Sequence, residues 1–548
     1  MKNNRLFAIA AAAVILFSGC ENDFDPQIYG SFTQNNYPKT KSDYISCAMA
    51  CYIPFINTPV YNMGIGTQTP MTQNDIGVKR VFDTPTDIMA PMLVTDLTGD
   101  WIRFSKADFG NCVNYARGSQ GQNTINHLIK AAEITRMTHL IGLITDAPDN
   151  ILDKETKESL LGEMRLCRGL HMYYVLHIYG PLPMITDPAL IYDENALFSM
   201  ARPSLDAVAG WIAADLEYAV QHAPLKSQVT EKGRFNRDFA RFCLMKHCLN
   251  EGSHMDGYYQ RAIDMYDELK RDGNYDLFQE GDNPFAAQFT SAHKFNVEVI
   301  MAVSCSTSAN GTSSGGNYNH ICKYMIPKDA SKVKGDNPEL EPAGAGWNHY
   351  YNMSPKFYDL FDANDLRRKT ILTQYKASDG TMRTRETIGR MWNGFIVNKF
   401  KPEAASEVQP MDVPVARWAD VLLMYAEALT RRDNAVSQPA VDAVNEVRKR
   451  AGLGGLSAAK TSAPAAFLDA ILDERGFELF YEGFRKIDLI RFNKYAQKTK
   501  WAKGSVPTHQ YLPLPNFAVQ QAAEHGVELS QTYSRPGWGD DLAAARNN

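Results

Sequence analysis

The chain is predicted to be mainly α-helical, built from antiparallel helix pairs that carry long irregular loops and a few short strands. Three observations predict this. Apolar residues at helical spacing recur in segments of roughly 13 to 26 residues joined by short turns. Two long stretches, 57–123 and 305–351, are rich in Gly, Pro, Ser, Thr and Asp and hold no period. Only Val297–Ser304 and Gly394–Lys401 have the apolar character of strands.

In chain order, a first helix begins near Ser42 and Asp43 and takes in Tyr44, Cys47, Ala48 and Cys51. Thr124–Asp146 and Lys154–Tyr179 follow, and the second stops at Gly180-Pro181 because proline cannot continue a helix. Ser204–His222, Arg237–Asn250 and Tyr258–Asp272 supply three more. Ala416–Arg431, Gln438–Ala451, Pro464–Glu482 and Arg485–Gln497 supply four later ones. Loops as long as 305–351 are uncommon inside compact domains unless functional or disordered. Tyr318, Tyr324, Trp347, Tyr350 and Tyr351 argue that part of this one is held in place, since disordered segments are poor in aromatics.

At 548 residues a sizeable core is assured, and 57 basic against 62 acidic residues give a net charge of −5. That balance removes the electrostatic reason to expect a nucleic-acid partner. Aromatics make up 11% of the chain, with 26 Tyr and 26 Phe, enough to spare several for a ligand surface.

The N-terminus carries a targeting signal. Lys2 and Arg5 precede an apolar run from Leu6 to Phe17, well short of the ~20 residues a membrane-spanning helix needs. It ends in Phe17-Ser18-Gly19-Cys20, which resembles a lipobox with Phe in place of the usual Leu. The expectation is a signal peptide over 1–19, lipidation at Cys20, a polar tether over 20–41 and one domain over 42–548. Several acyl chains, at ~0.8 kcal/mol per buried methylene, would anchor the chain to a membrane without spanning it. The eight later cysteines read mostly as buried small hydrophobes. Cys305 and Cys322, flanking a loop, are the pair best placed for a disulfide if one forms.

A ladder of charges marks Phe467–Asn493. Arg475, Glu478 and Glu482 lie three and four residues apart on one side of a helix that Gly483 ends. Arg485, Asp488 and Arg491 repeat at a spacing of three beyond it, so the two rows could pair across a helical hairpin as a structural charge network. A solvated face is the alternative, worth only ~0–1 kcal/mol per pair. Adjacent arginines would hold both glutamates ionised, which suits a structural network better than proton transfer.

With VARWADVLLMYAEAL (Val415–Leu429), NEVRKRAGL (Asn445–Leu453) and YLPLP (Tyr511–Pro515), this stretch resembles the C-terminal half of the SusD/RagB family, nutrient-binding lipoproteins of the Bacteroidetes outer membrane. MRLCRGLHMYYVLHIYGPLP, which ends at Pro183, is similar to an arginine-containing, aromatic-rich helix of that family. The resemblance implies tetratricopeptide-like hairpins in a right-handed superhelical scaffold. It also implies a lipid-anchored, surface-exposed outer-membrane location and a SusC-like TonB-dependent transporter as partner.

No catalytic constellation stands out. His-Glu-x-x-His, Cys-x-x-Cys and phosphate-cradling glycine loops are missing from the sequence. His247 and His254 could share a helix face but have no evident third metal ligand, so neither metal nor cofactor is expected. Asp96, Asp100 and Asp108 near Trp101 could in principle form a glycosidase pair, but no pattern ties two of them together. The expectation is a binding protein and not an enzyme. Sugar rings stack their C–H faces on flat aromatics and need a few fixed polar partners for their hydroxyls. By position, the resemblance implies an aromatic arc from Trp101 and Trp347, then Tyr350 and Tyr318, with Asp100, Arg103, Asn111 and Asn348 as polar partners. A peptide cargo, or a helical-repeat scaffold with no sugar ligand, remains the alternative.

Overall fold

The computed structural model describes residues 37–55, 78–92, 100–112, 128–198, 201–305, 319, 321–342, 346, 352–389, 392–405 and 409–547. Its principal helices are α1 (Lys41–Met49), α2 (Val78–Asp83), α3 (Asp100–Ser105), α4 (Ile129–Thr145), α5 (Lys154–Tyr179), α6 (Leu205–His222) and α7 (Arg237–Glu251). After these come α8 (Tyr258–Asp272), α9 (Trp418–Asp433), α10 (Gln438–Arg450), α11 (Pro464–Leu479), α12 (Arg485–Arg491), α13 (Tyr495–Lys503) and α14 (Trp538–Asn547). The protein is mainly helical, as its periodicity predicts.

Local chemistry sets the ends of the long helices. Asp153, Ser204 and Asn236 each accept a backbone N–H of the first turn, at 2.9, 3.1 and 3.1 Å, and so cap α5, α6 and α7. Gly180 closes α5 with φ of 78°. Neighbours in sequence pack as neighbours in space: α4 on α5, α5 on α6, α6 on α7, α7 on α8, then α8 on α9, with α9 also against α10 and α11. Short turns leave little other choice for α7 on α8 and for α9 on α10, whereas α8 and α9 meet across the strands and loops of 273–417. One continuous apolar core takes in side chains from Tyr44 to Ala545.

Among the described residues, seven short strands interrupt the helices. β1 (Val299–Val303) pairs antiparallel with β7 (Val413–Arg417). A three-stranded sheet has the order β2 (Asn352–Met353), β6 (Phe395–Val397), β3 (Ile371–Leu372), and β4 (Tyr375–Lys376) pairs with β5 (Met382–Arg383). The apolar runs at 297–304 and 394–401 thus become β1 and β6.

Cys305 and Cys322 are buried and not joined by a disulfide, which fits the reading of the later cysteines as buried small hydrophobes. The Cys322 thiol donates to the Phe400 carbonyl at 2.9 Å and that of Cys305 to the Val303 carbonyl at 3.5 Å. α11 ends at Leu479, three residues before Glu482, because Phe480 turns extended and Tyr481 takes a φ of 63° ahead of Gly483 at 87°. The helix expected over 485–497 breaks at Asn493, with φ of 53°, into α12 and α13. The two charge rows meet each other only in part, as described below.

Candidate functional site

The site region is built around a junction between the two loop-rich parts of the chain. Met89 bridges Met353 in antiparallel register, the Ala90 N–H donates to the Asn352 carbonyl at 2.8 Å, and the Ser354 N–H donates to the Ile88 carbonyl at 2.9 Å. The Asn393 side chain adds a bond to the Pro91 carbonyl at 3.2 Å. A Cβ on Gly394 would sit 2.4 Å from the Met353 carbonyl oxygen, so only glycine lets β6 lie this close to β2.

From the early side, the Met92 N–H donates to the Ser105 hydroxyl at 2.9 Å and ties α3 to the junction. α3 carries Asp100, Trp101 and Arg103 on its backbone, and a short turn, Phe109–Asn111, follows it. Arg103 and Asn111 are both exposed and are brought together: the Arg103 guanidinium donates to the Asn111 carbonyl at 3.0 Å. The Asn111 amide in turn donates to the Asp108 carboxylate at 2.9 and 3.0 Å. Asp108 is thereby committed to a turn. The turn is pinned from the C-terminal half, since the Gly110 N–H donates to the Thr508 hydroxyl at 3.1 Å and the Thr508 N–H to the Ala107 carbonyl at 3.3 Å.

From the late side, the Gly346 N–H donates to the Pro327 carbonyl at 3.2 Å. A Cβ there would lie 1.8 Å from the Ile326 carbonyl oxygen, so the residue before Trp347 must be glycine. Asn319, next to Tyr318, bridges Gln409 and donates to the Met411 carbonyl at 2.8 Å. Trp347, Asn348, Tyr350 and Tyr318 themselves lie outside the described residues, as do the side chains of Asp100 and Trp101, and Cys20. Asp96 lies outside them too, as does Gly-Thr-Ser-Ser-Gly at 311–315. That run has the spacing of a nucleophile elbow, within a Ser/Gly-rich stretch whose composition alone produces it.

Beneath the junction lies a buried ionic network that includes the six residues of the sequence ladder. Arg475 grips Asp488 with two bonds of 2.9 and 3.0 Å, the one ion pair between the two rows among the described residues, and Arg485 crosses the same turn to donate to the Leu472 carbonyl at 2.6 Å. Arg475 also reaches Asp420 at 2.7 Å, and Arg491 bonds Asp488 at 2.8 Å and Glu427 at 2.8 and 2.9 Å. Glu478 and Glu482 find their partners elsewhere. Glu478 accepts from Arg367 at 3.2 Å, from Arg417 at 2.9 Å and from Arg450, while Glu482 accepts from Arg417 at 2.6 Å and from Lys399 at 2.5 Å. Burial alone would raise the Glu478 carboxyl, but the facing arginines outweigh it and hold it well below the usual range. This network clamps the site to the scaffold: Arg485 donates to Asp87 with two bonds of 2.8 Å, and Asp83 accepts the backbone N–H groups of Gly483 and Arg485.

Sequence reasoning did not single out Asp83, Asp87, Arg367, Lys399, Arg417, Arg450 or Lys486. A usable signal existed for Arg417, a charge between Ala416 and Trp418 in the quoted run, whereas Arg450 follows Arg448 and Lys449 and does not stand out. Lys486 lies buried under the candidate site, its ammonium 4.6 Å from the Phe109 ring centroid and about 5.5 Å from that of Tyr511. Burial pushes it down to about 7. The two histidines considered as metal ligands have other roles. His247 bonds the Ala209 carbonyl at 2.9 Å, and His254 sits between Asp206 and Glu251 at 2.7 and 2.8 Å.

Fold and site together define a class: a helical-hairpin scaffold that presents irregular loops from one small sheet and clamps them with buried ion pairs. Residues 369–529 match the SusD family model. A SusD-like protein of Formosa agariphila is 21% identical over 92% of this chain and 95% of its own length. A SusD superfamily protein from Parabacteroides distasonis superposes with a TM-score of 0.68 at 18% identity, over 91% of this chain and 100% of that one. A surface glycan-binding protein A from Bacteroides thetaiotaomicron, in complex with laminarihexaose, gives 0.65 at 18% identity, over 90% and 100%. In that segment and in its fold the chain is similar to proteins of the SusD family.

Proposed function

We propose that this chain is a glycan-binding lipoprotein of the cell surface that captures oligosaccharide or polysaccharide and delivers it to a SusC-like TonB-dependent transporter of the outer membrane. The reading includes anchoring through Cys20, a tether over 20–41 and a single mature domain over 42–548. It assigns no catalytic step.

The observation that carries it is the Met89–Met353 junction, which roots both aromatic loops at one place on a rigid scaffold. Trp101 lies on the helix tied to Met92, and Tyr350 and Trp347 stand two and five residues before Asn352 in the sequence. The exposed Arg103 and Asn111, on the same helix as Trp101 and in the turn after it, offer donors and an acceptor to hydroxyls. Flat rings near a few fixed polar groups are what a sugar requires. The laminarihexaose complex of a protein with the same fold supports a glycan ligand.

Affinity electrophoresis of the mature chain against plant, fungal and host polysaccharides tests this. Trp101→Ala and Trp347→Ala should each weaken retardation about tenfold or more on the retarding polymer while leaving the thermal midpoint within a few degrees. Wild-type mobility in both variants would remove the assignment of the site, and release of reducing sugar from a bound polymer would turn the reading to an enzyme.

A further inference from the structure

A second feature suited to a sugar lies on α13, whose Lys503 donates to the Met89 carbonyl at 2.8 Å and so sets that helix beside the junction. Trp501, on α13, is 37% exposed and Leu360 is 42% exposed, and both line a cleft of about 560 Å³. That size falls within the roughly 300–1,000 Å³ of small-ligand clefts. Lys494, Gln497, Lys498 and Trp501 follow one another at helical spacing, so α13 and the residue before it present them as one face.

The cleft is built and held. The Trp501 backbone carbonyl accepts from Lys356 at 2.7 Å, and the Lys500 ammonium is fixed on the Ala545 carbonyl at 2.8 Å. Gln497 is held by Asp541 at 3.1 Å. The indole N–H, by contrast, has no hydrogen-bond partner among the described residues, and neither ring face is covered by another aromatic or a cation. Lys494 pairs with Asp469, and Lys498 lies 3.4 Å from Asp473, so donors and acceptors stand side by side. Adjacent hydroxyls of a pyranose, each both donor and acceptor, match such pairs. A uronate or sulfate would have to compete with the aspartates already holding these lysines.

We infer that the Trp501 cleft is a second contact for neutral glycan, stacking a sugar ring on the indole and bonding its hydroxyls through the Lys494–Asp469 and Lys498–Asp473 pairs. This rests on the glycan-binding reading above and extends it to a helix face that is not part of either loop-rich stretch. A second contact of this kind holds a long polymer by two points, so its loss weakens polysaccharide more than short oligosaccharide.

The test uses the full mature chain with laminarin, dextran and polygalacturonate in native gels and laminarihexaose in calorimetry. Trp501→Ala should weaken retardation on a neutral polymer at least threefold at unchanged thermal midpoint, with Trp501→Phe recovering most of the loss. Trp347→Ala combined with Trp501→Ala should lose the retardation that Trp347→Ala retains. Wild-type retardation of Trp501→Ala on every neutral polymer overturns the cleft and leaves the loop site standing, as does a loss confined to polygalacturonate. No binding of the wild-type chain to any probe overturns the parent reading and the cleft with it.

Discussion

Lys486 shows how much one side chain can cost when it is buried for another purpose than pairing. Its ammonium faces the rings of Phe109, Tyr495 and Tyr511, with no carboxylate against it among the described residues. Burial lowers it from 10.5 to about 7. The unfolded chain therefore binds the extra proton between about pH 7 and 10.5, and the stability of the folded state rises with pH across that window. Lys486→Met should therefore stabilise the protein most at pH 7 and below. Its advantage should shrink steadily toward pH 10.5. Urea unfolding of both chains at pH 6, 8 and 10 measures this, and a pH-independent difference would mean that the ammonium is solvated. Nothing in the spacing of the sequence shows that Lys486 is buried while Lys494 is partly exposed, because α12 and its neighbours decide that.

At the scale of elements, α11 and α12 act as a clasp more than as a hairpin. The sequence row Arg475, Glu478, Glu482 was legible because helical spacing alone puts those three residues on one side. Its partners were not, because Arg367, Lys399, Arg417 and Arg450 come from four other segments. Glu478→Gln leaves three buried guanidiniums short of a charge, so it should destabilise the fold by roughly 3–5 kcal/mol, in the range seen when one partner of a buried pair is removed. Denaturant unfolding at pH 7 reads this directly. A loss under about 1 kcal/mol, the scale of an exposed pair, would show that water reaches the network. The junction of Met89 with Met353 is an element-scale fact of the same kind: two-residue strands carry almost no signal in sequence, yet they root both loops.

For the molecule as a whole, the consequence is acid sensitivity. Burial opposes ionisation of Asp420 and Glu427, but Lys246 and Arg475 around the first, and Arg491 and Arg431 around the second, hold both down to about 2. Glu478 and Glu482 are lowered as well by their arginines and Lys399. Depressed carboxyls contribute stability that is present above their unfolded values and lost as pH falls through the folded ones. Stability should hold from pH 7 to about 5 and then fall steeply between about 4.5 and 2, followed by circular dichroism of thermal unfolding. A midpoint unchanged at pH 3 would contradict the network's role.

The sequence by itself determined the helical class, the order and most of the bounds of the helices, and the resemblance to the SusD family. It also carried the ladder Arg475 to Arg491 and the lipobox-like N-terminus. These are local properties: apolar spacing, capping residues and Gly-Pro stops act within one or two helical turns. Tertiary structure alone decided that Cys305 and Cys322 stay apart, and that the glutamates of α11 pair with distant arginines. It also decided that Arg103 meets Asn111, that the two loop-rich stretches share one root, and that Trp501 stands at the mouth of a cleft. Such contacts join residues 400 positions and more apart, as Gly483 and Asp83 at 400 and Lys503 and Thr84 at 419 do. Which charge meets which, and which ring is left uncovered, follows from packing over that distance and not from the spacing of neighbours.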